Sequence, residues 1–142
     1  MDNERGQTTI FFTLILTGLL LLTAVGIEIG RIVYARGEVG KAADAAALAA
    51  VAQVDVSYYR ETGQVRFKPN VYEMAQEYAS RNSTYLQSRL IEVTVTDIFV
   101  DQNKHMVFVT VSADLSSLLP KILTFDGVYS ITGYAEVRLQ GK

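Results

Sequence analysis

The hydrophobic pattern of this chain changes period three times. From Gly6 to Ile27 no charged residue occurs, and apolar residues from Ile10-Phe11-Phe12 through Leu19-Leu20-Leu21-Leu22 to Ile27 fall on every face of a helix. A helix of about 20 such residues covers the roughly 30 Å hydrocarbon core of a bilayer. Without an intervening proline the run leads into Lys41-Ala42-Ala43-Asp44-Ala45-Ala46-Ala47-Leu48-Ala49-Ala50-Val51-Ala52. That second stretch has strong helix formers and little bulk, which suits close packing. The pattern predicts one continuous helix over 7–54. Its membrane span covers about 8–29 and its amphipathic, alanine-rich extension about 30–54, with 1–6 as a short leader or tail.

Residues 53–69 read as a connection, with Gly63 marking a turn. Val65 and Phe67 alternate with Arg66 and Lys68, which allows a short hairpin. Pro69-Asn70 then starts a second helix, with Asn70 as cap and Glu73 completing a capping-box-like pair. Val71, Ala75, Tyr78, Ala79, Asn82, Tyr85 and Leu86 recur at helical spacing and carry that helix to about Arg89.

From Ile91 the period becomes two. Ile91, Val93 and Val95 begin a strand that continues through Ile98-Phe99-Val100, and Asp101-Gln102-Asn103-Lys104 forms a turn. A returning strand carries Val107, Val109 and Val111. Ser116 to Gly127 reads as an apolar crossover loop or short helical turn, and Val128 to Leu139 as the last strand. The expected fold is α+β: a long N-terminal membrane-spanning helix continuing into a small head, 55–142, built from a second helix and a three-stranded antiparallel sheet. The sheet would cover its apolar face with the second helix and the upper half of the first.

Composition narrows the function. The net charge is −2 with basic and acidic residues interleaved, so nothing favours nucleic acid as a partner. There is no cysteine, which removes disulfides, thiolate metal sites and cysteine nucleophiles. No phosphate loop, nucleophile elbow or zinc-binding helix pair occurs, so the chain reads as a non-enzyme without a cofactor or metal. A cleavable secretory signal fits poorly, because the apolar core exceeds the usual length and only Arg5 precedes it. Arg31, Arg36 and Lys41 follow the span, and this count places the C-terminal part in the cytoplasm.

Several residues stand out as candidate contacts. Gly18, Gly26 and Gly30, with Ala42, Ala43, Ala46 and Ala49, offer small positions for close helix packing. Glu28 lies at the outer end of the apolar run. It reads as an interfacial anchor neutralised by Arg31, or as an assembly contact. Asp44, among alanines, either faces solvent or pairs with a neighbouring group. His105 reads as a surface residue, and Asp97, Asp101 and Asn103 are a weak candidate for an ion at the turn.

Arg5-Gly6-Gln7, Gly26-Ile27-Glu28-Ile29-Gly30-Arg31, Tyr34-Ala35-Arg36 and the string Ala42-Ala43-Asp44-Ala45-Ala46-Ala47-Leu48-Ala49 together resemble the TadE/TadG-like proteins. These are minor-pilin-like components of the tight-adherence (Flp) pilus, within the type IV pilin class. The resemblance is strong over residues 5 to 50 and loose afterwards, where Tyr78-Ala79, Asn82 and Tyr134-Ala135 carry it. It implies a structural component of the pilus or its assembly machinery, with the bilayer and other pilin-like subunits as partners in a homo-oligomer or filament. It also implies an extracytoplasmic head on a single-pass protein of the cytoplasmic membrane, contrary to the charge count. Prepilins are cut after a glycine preceding the apolar run, which would be Gly6, leaving Gln7 as the mature terminus. They usually carry a glutamate at mature position five, where this chain has Phe11. That departure keeps a second expectation open: a single-span accessory protein whose head binds a partner and never enters a filament.

Overall fold

The computed structural model describes residues 2–119 and 127–139, with side chains from Gln7 onward. Helix α1 runs unbroken over Asp2–Ala52, 51 residues or about 75 Å at the α-helical rise. The predicted continuity is therefore present. The next element differs from expectation. Instead of a hairpin, 53–69 contains a short helix α2, Val56–Thr62. Asp55 caps it by accepting the Tyr58 N–H at 3.1 Å, and Gly63 ends it in the left-handed region at φ 72°. Only a single antiparallel bridge, Val54 to Phe67, remains of the hairpin idea.

The second predicted helix is two helices. Helix α3 covers Val71–Arg81, and α4 covers Thr84–Ser88. Asn82 makes the break: its backbone N–H and side-chain amide both donate to the Tyr78 carbonyl, at 3.2 and 2.9 Å. An asparagine that closes off the last carbonyls of a helix stops its propagation. Asn82 is consequently exposed, and Ser83 takes the buried position beside Leu86. The expected cap also fails, since the Asn70 side chain makes no capping hydrogen bond.

Three strands follow, β1 (Val93–Asp101), β2 (Met106–Ser116) and β3 (Val128–Arg138), antiparallel and in that order. Their inward side chains include Val93, Val95, Val107, Val109, Val111, Leu115 and Ile131. A bulge at Thr96 shifts the register between Val95 and Asp97, so Val95 and Ile98 both point inward although three residues apart. The upper half of α1 covers β2 and β3, and α3 covers β1. The expected crossover between β2 and β3 lies outside the described residues from Pro120 to Asp126.

Two glutamines stand in for missing strands. Gln76 of α3 donates to the Val93 carbonyl at 2.6 Å and accepts the Val95 N–H at 2.8 Å. Gln102 serves Val65 in the same way, at 2.8 and 2.9 Å. An amide side chain has the donor and acceptor of a peptide, so it satisfies an edge that would otherwise stay unpaired.

Candidate functional site: the shaft and its junction with the head

Among the described residues one helix is long and apolar enough to cross a membrane, from Gln7 to Ala52, and none of its most apolar window is buried by the rest of the chain. Ile10, Phe11, Phe12, Leu14, Leu16, Leu20 and Leu22 are all exposed. The polar groups along this stretch are satisfied within the helix. Thr13, Thr17 and Thr23 donate their hydroxyls to the carbonyls of Thr9, Thr13 and Leu19, at 2.8–2.9 Å. Such pairing is what a low-dielectric surround requires, because lipid supplies no partner. Gly6 and Gln7, the candidate cleavage pair, lie inside α1.

The junction begins at Glu28, which is only 2% exposed. One carboxylate oxygen takes Arg31 Nη1 at 2.9 Å, the i,i+3 pair expected from sequence. The other accepts the backbone N–H of Leu118 at 3.1 Å, and Arg31 also reaches the Ser116 carbonyl at 3.4 Å. Glu28 and Arg31 thus tie the shaft to the end of β2, across about 90 positions of sequence. No local pattern pointed to this contact.

Above the junction α1 divides into two faces. Ala35, Val39, Ala42, Ala43, Ala46, Ala47 and Ala50 are buried under the chain's own head. The alanines therefore pack inside this molecule. One glycine on the sheet completes the fit: a Cβ at Gly133 would stand 2.8 Å from the Val39 carbonyl oxygen and 3.0 Å from its carbon. An isolated glycine in a strand pattern is the sequence mark of such close approach, and it was the missed residue. Lys41 pairs with buried Glu38 at 2.7 Å.

The opposite face is open. At Gly18, Gly26, Gly30, Gly37 and Gly40 an added Cβ would meet nothing within 4 Å among the described residues. At about 100° per residue, Gly26, Gly30, Gly37 and Asp44 fall in one line, directly opposite Ala35, Ala42 and Ala46. Asp44 is exposed and makes no hydrogen bond or ion pair among the described residues.

The other candidates are not assembled into a site. Asp101 Oδ1 accepts the N–H groups of Asn103 and Lys104 at 3.0 and 3.1 Å, closing its own turn. Asp97 sits at the bulge, opposite Thr110. His105 is half-buried at φ 52°, edge-on to Tyr59 with ring centroids 5.8 Å apart, and its Nδ1 is buried without a partner among the described residues. It is not the simple surface residue expected from its place after a turn. Beside α2, the Arg66 guanidinium at 2.7 Å and the Tyr58 amide hold the Asp55 carboxyl below its ordinary value.

Comparison with known proteins bears on this shaft. Residues 6–53 match the family model described as "Putative Flp pilus-assembly TadE/G-like". The match takes in the span, the junction and the alanine face, and stops before α2. No curated protein and no solved structure gives a match. Over residues 6–53, from the residue after Arg5 to the end of its alanine face, this chain is similar to the TadE/G-like Flp pilus-assembly proteins.

Proposed function

We propose that this protein is a structural component of a Tad/Flp-type pilus or of its assembly machinery. Residues 8–29 hold it in the cytoplasmic membrane as a single span, with the head 55–142 on the extracytoplasmic side. It assembles through the open side of α1, where Gly26, Gly30, Gly37 and Asp44 line up away from the head. The observation that carries this reading is the family match over residues 6–53 on a helix whose Gly26, Gly30 and Gly37 serve no contact among the described residues. Small residues let helix backbones approach, and in lipid that packing is the main source of helix association. The partners are other pilin-like subunits or membrane proteins of the assembly machinery, and binding comes from lateral burial of a helix.

Substituting Gly26→Leu with Gly30→Leu tests it. The expected outcome is normal recovery in the membrane fraction with loss of pili from the cell surface. Unchanged piliation would favour the second reading, a single-span accessory protein that never enters a filament, which Phe11 at the usual glutamate position supports. Mass spectrometry of the native protein settles processing: a Gln7 terminus marks cleavage after Gly6, and an intact Met1 removes the prepilin version.

A further inference from the structure

The head has two ends of opposite character. At the far end α1 finishes, Val54 bridges Phe67, and Gln102 binds Val65 beside the polar turn Asp101-Gln102-Asn103-Lys104. At the near end Leu118 is hydrogen-bonded to Glu28, where the uncharged run of the shaft stops.

Exposed apolar side chains from three separate segments gather at that near end. Leu118 is 67% exposed. Val128 is 52% exposed and pairs with Ser116, the residue whose carbonyl Arg31 reaches. Leu90 is 97% exposed and lines a shallow cavity with Ala113 and Asp114, two to three residues before Ser116 on β2. It also holds a left-handed backbone at φ 58°, which costs a non-glycine residue about 1–2 kcal/mol. A leucine kept in that conformation while almost nothing in the chain covers it calls for a surface outside the chain.

We propose that this end of the head rests on the bilayer, with Leu90, Leu118 and Val128 forming an apolar rim at the boundary between headgroups and acyl chains. The proposal rests on the reading that residues 8–29 span the membrane, because the span fixes the level at which the lipid surface lies. Apolar groups of interfacial elements enter about 5–10 Å into that boundary. A cation at this end suits it. Arg89, stacked near Tyr85 beside Leu90, flanks the rim, and a long basic side chain reaches phosphate headgroups while its stem stays among apolar groups. Tyr34, half-exposed and edge-on to Tyr85 at 4.5 Å, adds an aromatic at interfacial height. Two acids, Glu92 and Asp114, line the same cavity as Leu90, and Asp114 pairs with Ser130, two positions along β2 from the Ser116–Val128 pair. The head is thereby held at two places, by the shaft within the membrane and by the rim upon it, which limits its swing about the junction.

The absence of native cysteine makes the test direct. The full chain would carry single substitutions Leu16→Cys, Leu90→Cys, Leu118→Cys or Asn103→Cys, each labelled with an environment-sensitive fluorophore. Each would be reconstituted in vesicles of equal parts phosphatidylcholine and phosphatidylglycerol containing nitroxide lipids. All four positions lie outside the core, so labelling leaves packing intact. Headgroup-proximal nitroxide should quench positions 90 and 118 at least about twofold more than position 103, as interfacial burial requires. Deep nitroxide should quench position 16. If either 90 or 118 behaves like 103 while 16 is quenched, the rim is overturned and the anchor stands. If 16 is not quenched, the anchor itself fails and the rim with it.

Discussion

Below Glu28, α1 turns leucine, isoleucine and phenylalanine outward on every side; above it, the same helix buries alanine and valine on one side and leaves Gly37, Lys41 and Asp44 on the other. The bulk is placed opposite to the habit of a soluble helix, where large apolar residues face the protein. Bulk belongs where the surround is fluid hydrocarbon and any shape is accommodated. Smallness belongs where a rigid sheet must come close, as at Gly133 against Val39. The change occurs within about two turns, at a partly buried ion pair that also binds the chain's own β2 end.

The comparison can be broken half by half. The largest effect is expected from Leu20→Arg in the lower half, which costs about 3 kcal/mol for insertion at the centre of a span. It should move the protein out of the membrane fraction. Ala46→Leu in the upper half should leave membrane recovery intact while lowering head stability by about 1–3 kcal/mol through overpacking, measured by thermal denaturation in detergent. The neighbouring exposed Leu48→Ala should change stability by less than about 0.5 kcal/mol. At the boundary, Glu28→Ala leaves the Leu118 N–H and Arg31 without their partner, with an expected loss of about 1–3 kcal/mol. Glu28→Gln, which keeps an acceptor for Leu118, should lose less.

A modest effect is expected outside both halves. Asp55→Ala removes the α2 cap and should lower the melting temperature modestly at neutral pH. Because Arg66 and the Tyr58 amide depress the folded Asp55 carboxyl, its stabilisation is complete above the ordinary aspartate value. It is lost as pH falls through the lowered folded value. The difference between wild type and variant should therefore shrink in acid, as melts across that range would show.

What was legible in the sequence follows from the range of the forces. The long helix and the three strands were readable because their apolar periods repeat over many residues, as from Ile10 to Ile27 or from Val107 to Val111. Short elements were readable only at their ends. Asp55 and Gly63 bracket α2 as cap and left-handed stop, but Tyr58, Tyr59 and Thr62 gave it no apolar face, and only Gly63 was read as a turn. The Asn82 break and the Thr96 bulge each had a local sign. Asparagine favours helix ends, and Val95 to Ile98 steps by three where a strand steps by two. The Glu28–Leu118 bond and the rim around Leu90 had none, because sequence places those segments far apart and only the fold brings them together.

One helix serves two surrounds, changing at Glu28. Spin labels at successive positions of α1 in the reconstituted full chain, read by collision with oxygen, measure the surround directly. High oxygen access is expected around the whole circumference from Ile10 to Ile27. From Val33 onward access should become one-sided, high at Gly37 and low at Ala35, Val39, Ala42 and Ala46. One-sided access already below Ile27, or uniform access above Ala35, would contradict this change of surround.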